Sequence, residues 1–209
     1  MIFLTGDTRS REMIALLKKN GWGRIWVDQK PTPYEGEPWG IDSGAFRDWS
    51  QGGTTDWGRY AERCHRAAEI GGCYLAVLPD RVAMGERSLE FSLEAMDLFN
   101  LPKNLPWYLA VQDGVAKAEK ALEANPWITG VFLGGTLNYK GKAAWWRGVT
   151  KEQGLKFHYG RCGVPRRVAH AARLGCDSCD SAFPLWEKGR MAEIEKAMTG
   201  ELPQMEMEI

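Results

Sequence analysis

Six short blocks of this sequence end an apolar run in residues able to do chemistry. They are Asp42-Ser43-Gly44, Pro79-Asp80, Gln112-Asp113-Gly114, Gly134-Gly135-Thr136, Gly160-Arg161 and Asp180-Ser181. Two carboxylates facing one sugar are the minimum for retaining glycosyl chemistry: one attacks the anomeric carbon, and a second group handles protons on the leaving and entering groups. A third carboxylate with a Gln can read the donor and acceptor edge of a purine. Glycines let a planar ligand approach the backbone. Any one Asp after a strand is more often a turn or helix-cap residue, so the inference rests on several falling together. The residues leave open which does which.

A Cys-x-x-Cys, Cys176 and Cys179, lies within the last block. A structural zinc site needs four ligands. Cys64, Cys73 and Cys162 form no second pair, and His158 and His170 lack finger spacing. The motif also falls inside an apolar run rather than at a helix start, where a redox pair belongs. We therefore expect buried packing thiols, and neither a metal nor a cofactor. Cys162, beside Arg161, is read as structural, and Asp177 as a supporting residue.

The elements that must position these blocks follow from hydrophobic patterning. Eight short apolar runs are expected as strands: 2–6, 24–28, 39–44, 73–80, 107–113, 130–135, 155–160 and 176–181. Such continuous runs suit strands buried on both faces of a parallel sheet. Amphipathic segments follow most of them, over 10–21, 56–72, 86–99, 114–126, 164–175 and 183–198, several closed by Gly. The stretch 29–38, "QKPTPYEGEP", carries Pro and Gly and no helical period. The pattern predicts an α/β fold, a (β/α)8 TIM-type barrel of minimal size, with residues 1–209 as a single catalytic domain. An open doubly wound sheet is the alternative. In such a barrel all six blocks share the rim at the strands' C-terminal ends. The tail after Thr199 is expected to fray.

Hydrophobic residues make up 44% of the 209, ordinary for a globular domain, and no apolar run is long enough to span a bilayer. The N-terminus reads as no secretion signal, and five Cys suit a reducing compartment, so a cytoplasmic protein without membrane contact is expected. Lys plus Arg balance Asp plus Glu at 27 each. Yet residues 138–173 hold nine Lys or Arg against one acid, Glu152. Lys140, Lys142, Arg147, Arg161, Arg166 and Arg167 belong to this stretch, which is either a solvated surface or a phosphate-binding stripe. Trp145-Trp146 lies inside it, where stacking on bases is one use; most of the ten Trp should be core.

Taken in order, the blocks resemble the tRNA-guanine transglycosylase superfamily and its DNA-acting, DpdA-type relatives. "IDSGAF", "VLPD", "LAVQDG", "FLGGT" and the tract from "HYGRCG" to "CDSCDSAFPLW" match that family's blocks in sequence. The resemblance implies Asp180 as nucleophile on C1′ of a guanosine unit and Asp42 as general acid/base or orienting carboxylate. It implies that Asp80, Gln112, Gly134, Gly135, Ser43 and Gly160 hold the base. It implies a 7-deazaguanine such as preQ0 as second substrate and nucleic acid as partner, with the target base out of its stack. Ala45 and Arg47 depart from the family's Gly and Gln, and no Cys or His follows Asp180 to make the tRNA enzymes' zinc site. These departures favour a short DNA-acting enzyme over one acting on tRNA, and a phage origin with the host cytoplasm as its compartment goes with that expectation. Two other classes remain open: a phosphosugar barrel enzyme with "LGGT" and "GRCG" around phosphate, and a noncatalytic nucleic-acid-binding subunit. The sequence leaves the oligomeric state open.

Overall fold

The computed structural model of the chain describes residues 1–186 and 191–201. Eight strands form a closed barrel: β1 (Ile2–Gly6), β2 (Gly23–Trp26), β3 (Trp39–Ile41), β4 (Cys73–Val77), β5 (Trp107–Val111), β6 (Ile128–Leu133), β7 (Lys156–Tyr159) and β8 (Ser178–Asp180). They pair in chain order, all parallel, and β8 returns to β1 with Leu4 opposite Asp180. The expected (β/α)8 architecture is the one found.

Helices cover the outside: α1 (Arg11–Asn20), α2 (Ala45–Ser50), α3 (Trp57–Ile70), α4 (Glu86–Leu98), α5 (Ala118–Ala124), α6 (Leu137–Lys140), α7 (Ala143–Glu152), α8 (Pro165–Arg173), α9 (Phe183–Trp186) and α10 (Met191–Thr199). Their ends follow local chemistry. Ser10 caps α1 by accepting from Met13 N, and Asp56 caps α3 by accepting from Arg59 N. Pro165 opens α8. Helices α2, α6 and α7 fall where no helix was expected. The first two span only six and four residues, too short for a period to show. Residues 187–190 and 202–209, and with them part of the last amphipathic segment and the tail, lie outside the described residues.

No helix joins β2 to β3. The loop expected there is fastened instead by a buried ion pair: Arg24 Nε and Nη2 each lie 2.6 Å from the Glu37 carboxylate, and Arg24 Nη1 donates to Thr8 O. Glu37 also accepts from Tyr34 N. With both charges hydrogen-bonded, the pair fixes the loop where packing by a helix is lacking.

Two apolar layers result. Leu4, Ile25, Leu75, Val77, Tyr108, Ala110 and Phe132 fill the barrel. A larger cluster, including fully buried Trp26, Trp107 and Trp146, packs strands against helices. Burial of each such side chain contributes about 1.5–3 kcal/mol. Cys64, Cys162, Cys176 and Cys179 belong to this outer core as free thiols. Burial pushes the Cys176 thiol up to about 12, so the Cys-x-x-Cys acts as packing, as expected. No helix among the described residues is long and apolar enough to cross a membrane.

Candidate active site at the barrel mouth

Inward-facing positions of the strands continue into the rim, and three carboxyl groups meet there. Asp42 follows β3, where its N–H donates to Trp26 O at 2.9 Å. The chain then turns at Gly44, φ 81°, a left-handed conformation in which a Cβ would also lie 2.8 Å from Val27. Ser43 Oγ accepts from Ala45 N at 3.1 Å and stabilises the start of α2. Arg47 on α2 pairs with Asp28 and Asp48, and Arg161 lies 3.5 Å from the centre of the Phe46 ring.

Asp80 lies in the loop after β4 and is held by Gln112, at the end of β5. Gln112 Nε2 sits 3.2 Å from Asp80 Oδ2, 3.2 Å from Arg81 O and 3.1 Å from Ser88 Oγ, while Oε1 accepts from Ala83 N at 3.2 Å. The carboxamide thus braces the loop that carries Asp80.

Asp180 ends β8. Its Oδ1 accepts from Arg161 N at 2.8 Å and hydrogen-bonds His158 Nε2 at 3.0 Å. His158 is fully buried on β7, with Nδ1 2.8 Å from Ser178 Oγ and its ring stacked on Phe132 at 4.7 Å. The stack requires Gly160 to be a glycine: a Cβ there would lie 2.4 Å from the Phe132 ring.

These environments separate the carboxyl groups. Burial raises the proton affinity of Asp42, and the charge of Asp180 raises it further. Burial, then the charge of Asp42, lifts Asp80 to about 7. Burial alone would raise Asp180 too, but the His158 hydrogen bond and charge, the Arg161 N–H and the Lys140 ammonium bring it below the usual carboxylate range. Two carboxyl groups of raised proton affinity and one of lowered affinity therefore belong to the same rim.

A cavity of about 510 Å³ opens at this rim. Asp42, Asp80, Gln112, Gly134 and Gly135 line it as polar and backbone wall; Phe46, Trp49, Val77 and Phe132 line it as apolar wall. Asp180 is not on that wall. Its side chain is 13% exposed and meets the cavity through Arg161, whose N–H it holds.

The expected site residues divide accordingly. Asp42, Asp80, Gln112, Gly134 and Gly135 come together, with Asp180 adjacent. Ser43 and Gly160, expected to hold the base, do not line the cavity: Ser43 is buried in its turn, and Gly160 makes room for Phe132. The basic residues do not act as one surface stripe. Lys140 is buried, with Nζ on the carbonyls of Gly160 and Arg161, and burial lowers it to about 8. Lys140, Arg161 and Arg167 line the cavity, whereas Lys142 and Arg166 are exposed outside its wall. Arg147 faces Asp177 at 3.9 Å, at the opposite end of the barrel. Of the tryptophan pair, Trp146 is core and Trp145 is half exposed.

Sequence reasoning missed His158, Phe46 and Trp49. The signal for His158 was present: His158 and Gly160, like Ser178 and Asp180, are two residues apart on adjacent strands, so each pair shares the inward face. Among the described residues no cluster of three or more His, Cys, Asp or Glu could hold a metal ion. In comparison with known proteins, no family model matches the chain and no curated protein does so.

Proposed function

We propose that this protein is an enzyme that replaces guanine in DNA with a 7-deazaguanine such as preQ0, through a covalent Asp180–sugar intermediate. One observation carries the reading: carboxyl groups of opposed proton affinity meet at one rim, Asp42 and Asp80 raised on the cavity wall and Asp180 lowered beside it, next to Arg161. Divergent environments of this kind mark the acid and the nucleophile in two-carboxylate glycosyl chemistry. The order of blocks that resembles guanine transglycosylases assigns the same two residues.

The exchange follows in two steps. An Asp180 oxygen forms a bond to C1′ as the C1′–N9 bond breaks, and guanine leaves with that electron pair and a proton from Asp42. An incoming 7-deazaguanine then gives its N9 proton to Asp42 and attacks C1′, and Asp180 leaves with its electrons. One glycosidic bond replaces another, so no energy source is required. Asp80, as a carboxylate, accepts from the N–H groups of the purine edge. Gln112 contributes by holding Asp80. A volume of about 510 Å³ suits a nucleobase with its sugar, and the target nucleotide enters unpaired or flipped.

The phosphosugar reading asks for free backbone N–H groups after β6 and β7. Those of Gly134, Thr136, Gly160, Arg161 and Cys162 already donate to Val111 O, Asp113, Leu133 O, Asp180 Oδ1 and Asp180 O. That leaves little donor capacity for a phosphate, which favours the base-exchange reading. DNA is the substrate put forward, with tRNA as its rival.

Incubating the protein with labelled preQ0 and either DNA or tRNA tests this. Label is expected in DNA, with a denaturant-stable protein–DNA adduct that Asp180→Ala abolishes. Label in tRNA alone moves the substrate to RNA. Label in neither, with no adduct, overturns the proposal.

A further inference from the structure

Asp180 stands beside a mouth lined by two other carboxyl groups, and its surroundings must favour its anion. Charged and titratable groups face it from several elements: Asp42 after β3, Lys140 on α6, His158 on β7, Arg161 after β7 and Cys179 on β8 itself, while Asp80 after β4 faces Asp42 and Arg161. Among these, His158 alone offers a side-chain hydrogen bond, at 3.0 Å, and it is also the most constrained. Phe132 stacks on its ring, Ser178 holds Nδ1 at 2.8 Å, and no part of it is exposed. With Nε2 turned to the carboxylate, Nδ1 is paired with the Ser178 hydroxyl, which can donate to it or accept from it and so holds the ring in place. Among the described residues, both hydrogen bonds to the carboxylate fall on Oδ1, leaving Oδ2 for a sugar carbon.

We propose that His158, backed by Ser178, is a positioning residue that fixes Asp180 by one oxygen, holds it ionised, and presents the other oxygen to the substrate. The chemical half of this rests on the base-exchange reading above. While the sugar is bonded to Oδ2, Oδ1 is the ester carbonyl and keeps accepting from His158 and Arg161. When the incoming base displaces Oδ2, the electron pair returns to a carboxylate already provided with donors, which makes it a better leaving group. Loss of His158 therefore gives a more basic Asp180 that holds its proton to higher pH and releases the sugar more slowly.

The test uses the full chain and a readout independent of turnover. Aspartate carboxyl carbons labelled with 13C are titrated by NMR, with Asp180→Asn identifying the Asp180 signal. His158→Phe retains a ring against Phe132 and removes both nitrogens. It is expected to raise the Asp180 midpoint by about one unit and to shift the acid limb of the exchange rate the same way. His158→Gln restores a terminal N–H and is expected to return the midpoint toward wild type. Ser178→Ala, a milder change, raises it by less and serves where His158→Phe fails to fold. An unmoved Asp180 midpoint in a folded His158→Phe, or in Ser178→Ala where His158→Phe does not fold, overturns the proposal. Raised midpoints in the variants, together with a wild-type protein that exchanges no base on DNA or RNA, would retain this role for His158 and discard the base-exchange reading instead.

Discussion

Asp177, just before β8, and Asp180, which ends it, lie three residues apart at opposite ends of the barrel, and their surroundings differ in kind. Asp177 is tied off: its carboxylate accepts from Phe157 N at 2.9 Å and from Lys156 Nζ at 3.2 Å, with Arg147 at 3.9 Å. Asp180 meets a buried imidazole and one backbone N–H, with Lys140 and Arg161 near, and faces the raised carboxyl of Asp42. The N-terminal end uses opposite charge to close the structure. The C-terminal end gathers three carboxyl groups beside Lys140 and Arg161, and burial raises two of them at a cost to folding. An arrangement that costs stability at one end of a barrel is better explained by chemistry than by packing.

That contrast can be broken most forcefully through Asp42. Asp42→Asn keeps the shape and removes the proton carrier, so the exchange rate is expected to fall about 10²–10⁴-fold, measured as label incorporated under single turnover. Unchanged thermal stability would place the effect in chemistry.

Asp80→Asn is expected to weaken the incoming base about 10- to 100-fold, seen in KM for preQ0, and to flatten the pH dependence of kcat/KM near 7. It also has a stability signature. The folded-state value of Asp80, about 7, stands above its ordinary 3.8. Between those values the folded protein binds the extra proton, so stability falls as pH rises from about 4 to about 7, then levels. Melting curves should show this decline reduced in Asp80→Asn, leaving the contribution of Asp42, which is raised in the same direction.

The smallest effect on chemistry belongs to Asp177→Ala. It leaves the buried Phe157 N–H without its carboxylate and is expected to cost about 1–3 kcal/mol in denaturant unfolding. Exchange rates well below the melting temperature should not move. A large rate loss there would erase the distinction between the two ends.

Strands and rim were legible because buried parallel strands leave continuous apolar runs, and because strand ends fall at fixed places on a barrel. Asp42, Asp80 and Asp180 could be placed on one rim from that rule alone. Lys140 could not: in sequence it is one cation in a basic run, and only the fold turns it inward onto the Gly160 carbonyl. Gln112 appeared as a base reader, but its neighbours in space, Ser88 and the backbone at Arg81 and Ala83, are remote in sequence. His158 needed the pairing of β7 with β8, in which it stands opposite Ser178. Such cross-strand register is set by closure of the whole sheet rather than by local composition.

Gly160 lines no part of the cavity, yet the position of Asp180 depends on it. Phe132 occupies the space a methyl group would take, and His158 lies on Phe132. A single added carbon there would tilt the ring, then the imidazole, then the carboxylate, displacing the nucleophile through two layers of aromatic contact. A demand that the site makes of this chain is thus for an atom to be missing, at a residue that a survey of reactive groups would pass over.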